Sequence, residues 1–202
     1  YWLEVTNPAL PELTLYSRVK NIAVLPQLGC SRQLDSLALL EFYSATGGGT
    51  WVNNWDISTP IDTWYGVQVN QEGCVTALDL DGLPDFTIAA NGGNGLTGFL
   101  PPAIGELQQL ENLYLIDNNI GDTLPAAIGN LENLLGLYID DNDFTGPIPT
   151  QIGGLSSLVE FWASRNELSG PIPPEFGSLS NLRVAFLSEN DLTSLPAEIE
   201  QL

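Results

Sequence analysis

The sequence predicts an α/β solenoid: coils stacked in a row, a parallel β-sheet along the concave side, and a helical cap over the N-terminal end. Three observations predict it. From Leu110 to Leu202 the chain lines up with itself in rows of 24, with Leu113, Leu137, Phe161 and Ala185 in one column and Asn118, Asn142, Asn166 and Asn190 in another. At the centre of each row apolar residues alternate with others over a short stretch, as in Leu113-Tyr114-Leu115-Ile116. Ahead of the rows lies a segment of helical period followed by clustered tryptophans. A fixed period of about 20–29 residues marks units that bury no core alone and make one by stacking.

Alternation places Leu113 and Leu115 on the inner side of a strand and Tyr114 and Ile116 on the outer side. The asparagine column falls at the bend after each strand, where a short amide side chain bonds backbone groups that the bend leaves unpaired. Pro125, Pro149, Pro173 and Pro196 preset φ and lack a donor, which suits the irregular outer side of the coil. Asparagines and prolines are therefore read as scaffold. The row continues as Asn142-Asp143-Phe144-Thr145-Gly146-Pro147-Ile148-Pro149, then Ile152-Gly153 and Leu155. This pattern, LxxLxLxxNxLxGxIPxxIGxL, resembles the plant-type class of leucine-rich repeat, which also occurs in secreted bacterial surface proteins. The resemblance implies a leucine-rich repeat solenoid with protein or glycan ligands.

Residues 1–29 carry no repeat. They read as an N-terminal extension or the end of a preceding domain, with Pro8 and Pro11 as linker signals and a hairpin of Leu13–Val19 and Ile22–Leu25 around Lys20-Asn21. From Ser31, Leu34, Leu37, Leu40 and Phe42 recur at helical steps until Gly47-Gly48-Gly49, which predicts a helix over roughly 34–46. Trp51, Trp55 and Trp64-Tyr65-Gly66-Val67 are too dense an aromatic cluster to leave in water, and packing is the expected use rather than sugar stacking. Segment 30–74 resembles the N-terminal cap of this repeat class, and a cap keeps the first coil's leucines dry. Cys30 and Cys74 bracket it; two cysteines make one bridge in a secreted protein or two separate buried thiols. Caps of the plant class carry paired cysteines around the WxGV element, whereas Asp62 and Val69 stand there in this chain. The bridge left by that resemblance is Cys30 to Cys74, joining the cap helix to the first repeat strand.

Residues 75–202 hold about five repeats. The first opens at Val75-Thr76-Ala77-Leu78-Asp79-Leu80, but its asparagine arrives at Asn94 instead of position 83. The insertion, within 81–93, is either a loop on the binding face or a tolerated surface loop. The last row is truncated by one residue between Asn190 and Pro196. A partner or further repeats are expected to cover the C-terminal end, because an uncapped coil exposes its leucines.

The formal charge of −20, from 25 acidic against 5 basic residues, disfavours nucleic acid and anionic membrane surfaces as partners. No apolar run approaches the roughly 20 residues that cross a bilayer. With no His, no free Cys if the bridge forms, and no phosphate-cradling loop with Lys, an enzyme is not expected. The outward column is instead Asp79, Tyr114, Tyr138, Trp162 and Phe186, whose four aromatics make a ladder of rings on the concave face. Beside it lie Ile116, Asp140, Ser164 and Ser188, and beyond these Asp117, Asp141, Arg165 and Glu189. Tyr114, Tyr138, Trp162 and Phe186, with Asp117, Asp140, Asp141 and Arg165, are the expected ligand-binding residues. Rings flanked by carboxylates and hydroxyls suit sugars and basic or aromatic peptides alike. Asp117, Asp140, Asp141 and Asp143 form a weak Ca²⁺ candidate set, with solvated carboxylates the plainer reading and no cofactor expected. The expected function is non-enzymatic recognition of a protein, peptide or glycan on a secreted or cell-surface protein, with cell adhesion as one setting. The competing function is a structural spacer or stalk in a larger surface adhesin. No asparagine sits in an Asn-x-Ser/Thr context, which would be unusual for a plant receptor, so a bacterial source is expected.

Overall fold

A computed structural model of the protein describes residues 2–6, 14–18, 32–81 and 93–202. Strand β1 (Trp2–Thr6) pairs antiparallel with β2 (Thr14–Arg18). The hairpin expected around Lys20-Asn21 has its turn and its second arm, Ile22–Leu25, outside the described residues. The insertion within 81–93 also lies almost wholly outside them.

Helix α1 (Arg32–Ala45) opens the cap at the place its period indicates. Its buried stripe, however, is Asp35, Ala38, Leu39 and Phe42, and the expected Leu34 and Leu37 are 54% and 49% exposed. Two apolar stripes run side by side on this helix, and the tie between Asp35 and the first coil selects one of them. Asp35 Oδ2 accepts the Val75 amide at 2.7 Å, fastening helix to coil, and burial pushes this carboxyl above its usual range. The tryptophans are interior. Trp55 and Trp64 stack at 4.8 Å, and the indole N–H groups of Trp51, Trp55 and Trp64 donate to the carbonyls of Thr46, Tyr65 and Thr59. Each ring therefore satisfies its polar handle within the cap.

Strand β3 (Val67–Val69) pairs antiparallel with β4 (Val75–Asp79), the first repeat strand. The rows then alternate between two sheets. After β5 (Thr97–Phe99) come β6 (Asn112–Tyr114) and β7 (Asn119–Thr123), then β8 (Gly136–Tyr138) and β9 (Asp143–Gly146). Then follow β10 (Glu160–Trp162) and β11 (Glu167–Pro171), and finally β12 (Val184–Phe186) and β13 (Asp191–Ser194). The concave sheet runs β12-β10-β8-β6-β4-β3, all parallel except β3. Leu78, Leu113, Leu137, Phe161 and Ala185 share one register across it, as the row alignment requires.

A second parallel sheet, β13-β11-β9-β7-β5, follows each asparagine bend. This corrects the expectation of an outer side without a ladder: rows of equal length bring the same backbone groups side by side twice per turn. The prolines sit one step further on. Pro101, Pro125, Pro149, Pro173 and Pro196 each precede a short 3₁₀ helix, with φ between −67° and −75°. Between these walls Leu113, Leu115, Ile120, Ile128, Leu131 and their mates in the next two rows form one continuous core, against which Leu187, Leu192 and Ile199 of the last row are only partly buried.

The asparagine column joins coil to coil. Asn118 Oδ1 accepts the Leu96 amide at 2.9 Å, while its Nδ2 donates to the carbonyls of Leu80, Leu115 and Ile116, each at 3.0 Å. Asn142, Asn166 and Asn190 repeat the arrangement. Asn94, the first of the column, turns to the cap and accepts the Asn53 amide at 2.6 Å.

Candidate binding face

The ring ladder lies on the concave sheet because Tyr114, Tyr138, Trp162 and Phe186 are register partners on β6, β8, β10 and β12. Strand spacing near 4.8 Å brings successive rings into contact. Tyr114 and Tyr138 stack with centroids 4.4 Å apart and planes 1° from parallel. Tyr138 to Trp162 and Trp162 to Phe186 are edge-to-face, each at 5.3 Å. The rings are consequently not left to solvent, as the alternation alone suggests: Tyr114, Tyr138 and Trp162 are half-buried, and only Phe186, with no ring beyond it, is 50% exposed. Burial is the first cause that pushes both tyrosine hydroxyls above their usual range. Tyr138 donates to Glu160 Oε2 at 3.2 Å. Glu160 is a site neighbour missed in the sequence; its place two residues before Trp162 on the same face was the available signal.

Next to the rings the structure differs more sharply from the alternation. Ile116 points to the concave side but is 3% exposed, covered by its neighbours, and forms the floor of a cavity. The cavity measures about 290 Å³ and is walled by Asp140, Asp141, Trp162, Ser164, Arg165, Phe186 and Ser188. Asp140 is buried; its Oδ1 accepts the Ser164 amide at 2.8 Å, and burial raises its carboxyl above the usual range. Ser188 and Ser164 hydroxyls lie 3.1 Å apart.

Asp117, Asp141, Arg165 and Glu189 all occupy the left-handed region, with φ from 53° to 59°, which turns the chain from strand to asparagine bend. Arg165 grips Asp141 through Nε and a terminal nitrogen, and that pairing holds the guanidinium charged above its ordinary range. Three of the four Ca²⁺ candidates have separate tasks: Asp140 holds the Ser164 amide, Asp141 holds Arg165, and Asp143 accepts from Asn119 Nδ2. No group of three or more metal-ligating side chains converges among the described residues. At the cap end of the ladder, Asp79 and Asp81 are both buried, and Asp79 Oδ1 accepts the Asp81 amide at 3.4 Å. Cys74 is buried just ahead of β4 and is disulfide-bonded; Cys30 lies outside the described residues.

Residues 109–131 and 157–179 match the Leucine Rich Repeat family. The chain is 34% identical over 106 residues to the LRR receptor-like serine/threonine-protein kinase EFR of Arabidopsis thaliana, a stretch that is 50% of this chain and 9% of that protein. Its fold matches the LRR ectodomain of the Arabidopsis thaliana membrane receptor kinase GASSHO1/SCHENGEN3, solved in complex with CASPARIAN STRIP INTEGRITY FACTOR 2. That match has TM-score 0.67 and 28% identity, and covers 83% of this chain and 20% of that one. The BIR3–SERK2 complex of Arabidopsis thaliana matches with TM-score 0.68 and 26% identity over 83% of this chain and 88% of that one. The chain therefore spans a small part of the receptor kinases it resembles. The fold is that of a leucine-rich repeat solenoid, similar to the ectodomains of plant receptors. The expectation of a bacterial source finds no support in these comparisons. No helix among the described residues is long and apolar enough to cross a membrane.

Proposed function

We propose that this chain is a non-enzymatic recognition module of a secreted or cell-surface protein, and that its concave face binds a protein or peptide. The observation that carries the reading is the half-buried ladder Tyr114, Tyr138, Trp162 and Phe186 beside an acid-walled cavity. Contiguous aromatic surface of this kind is characteristic of binding sites, and central rings dominate binding energy. The likeness to a receptor ectodomain solved with its factor supports a macromolecular ligand. The kinase activity in the relative's name is not carried over, since the similarity spans 9% of that protein. A disulfide between Cys74 and Cys30 would suit an oxidising compartment.

The test is capture on peptide, secreted-protein and glycan arrays, repeated with Trp162→Ala. Truncation should weaken capture by about 2 kcal/mol or more. Its cost in stability should stay below the roughly 3–5 kcal/mol of a fully buried aromatic. A Trp162→Ala protein that binds normally but melts much earlier would transfer the ladder to the scaffold, and silence on every array would favour the spacer.

A further inference from the structure

We infer that the cavity between Asp140, Trp162, Ser164 and Phe186 is a subsite for a basic side chain, Lys or Arg, of an extended segment of the partner lying along the concave face. This rests on the recognition reading above. Two residues that line this cavity each carry a buried polar atom with no hydrogen-bond partner among the described residues: Asp140 Oδ2, an acceptor, and Trp162 Nε1, a donor. Asp140 is 6% exposed and its other oxygen is already taken by the Ser164 amide. Arg165, the basic residue on the cavity wall, lends Asp140 its charge at a distance but bonds Asp141 through Nε and one terminal nitrogen, so Asp140 Oδ2 is left without a donor. What Oδ2 lacks is a donor, and a cationic donor from a ligand suits a buried carboxyl best.

The unmet donor points the same way. An indole N–H needs an acceptor, and a peptide brings one in each backbone carbonyl. A basic residue thus supplies both halves: an ammonium or guanidinium for Asp140 and a main-chain carbonyl for Trp162. The floor suits its stem, because Ile116 and the faces of Trp162 and Phe186 offer apolar and π surface to the methylenes and the cation. A sugar hydroxyl also donates and accepts, but it brings no charge to a buried carboxylate. The wider field agrees, with Asp79, Asp81, Asp117, Glu160 and Glu189 on or beside this face and a formal charge of −20 on the chain.

The experiment follows the indole N–H signal of Trp162 in the ¹⁵N-labelled chain, assigned by its loss in Trp162→Phe. The probes are the methylamides of Nα-acetyl-lysine, Nα-acetyl-arginine and Nα-acetyl-citrulline, the last a neutral copy of arginine, together with methyl glucoside. The basic amides should shift the signal saturably, bind roughly tenfold or more tighter than citrulline, and weaken with added salt. Asp140→Asn, which keeps the shape of the side chain, should erase the preference. Citrulline matching arginine, a preference that survives Asp140→Asn, a response to methyl glucoside alone, or no response at all would each overturn the subsite. The citrulline comparison needs no variant, so it decides even if Asp140→Asn folds poorly. If arrays still capture a protein or peptide through Trp162, the recognition reading stands without this subsite; if they capture nothing, both fall.

Discussion

Replacing Asn142 with Ala tests whether the asparagine column bonds coil to coil. Asn142 is 7% exposed. Its Oδ1 accepts the Ile120 amide at 3.1 Å, and its Nδ2 donates to the carbonyls of Leu115, Ile139 and Asp140 at 2.8, 3.3 and 3.1 Å. After truncation each carbonyl keeps another donor: Asn118 Nδ2 for Leu115, Asn166 Nδ2 for Ile139 and the Asp117 amide for Asp140. The main cost therefore falls on the Ile120 amide, whose acceptor is removed. A buried N–H left alone costs about 1–3 kcal/mol, and the three weakened carbonyls add some tenths each, for a total of about 2–4 kcal/mol. For a chain of this size that lowers Tm by roughly 5–15 °C. Asn142→Asp separates the two roles. The carboxylate still accepts from Ile120 but has no hydrogen for three carbonyl oxygens, so it should destabilise at least as much as Ala. Urea unfolding followed by tryptophan fluorescence and far-UV circular dichroism measures both. A loss below about 0.5 kcal/mol, the scale of an ordinary surface substitution, would refute the reasoning.

Three further outcomes are expected. Gly129 packs against the next coil so closely that a Cβ would lie 2.1 Å from the Gln151 carbonyl oxygen, so Gly129→Ala should cost about 1–3 kcal/mol in the same urea assay. Gly49, with nothing within 4 Å of its Cβ position, is the control, and equal losses at both would refute the packing argument. Burial, and then the charge of Asp81, hold the Asp79 carboxyl at about 7 instead of 3.8. Between those values the folded chain keeps a proton that the unfolded chain has released, so this group's contribution lowers stability as pH rises through that window and levels off above it. Asp79→Asn should remove that component from a stability profile across the window; an unchanged profile would show that the group titrates normally. For the cysteines, alkylation without reductant should leave the intact mass unchanged, and two added labels would rule out the Cys30–Cys74 bridge.

The repeat was legible in the sequence because a solenoid makes only nearest-neighbour contacts. A column of identical residues 24 apart is already a list of spatial neighbours, so the register of Leu113, Leu137 and Phe161, the place of Asn142 and the ladder from Tyr114 to Phe186 followed from counting. The tryptophan cap was legible for a different reason: so much ring surface cannot remain in water. Choices among faces were not legible, because they depend on what stands opposite. Helix α1 has two apolar stripes, and Asp35 reaching the Val75 amide decides which is buried. Ile116 is outward by alternation yet interior in the fold, because its neighbours on the concave face close over it. The second sheet arises only when rows stack, since its hydrogen bonds lie between coils and within none of them. The unmet atoms of Asp140 and Trp162 belong to that same level. Composition says which groups a chain carries, but whether a buried donor or acceptor finds a partner is settled by tertiary distances alone.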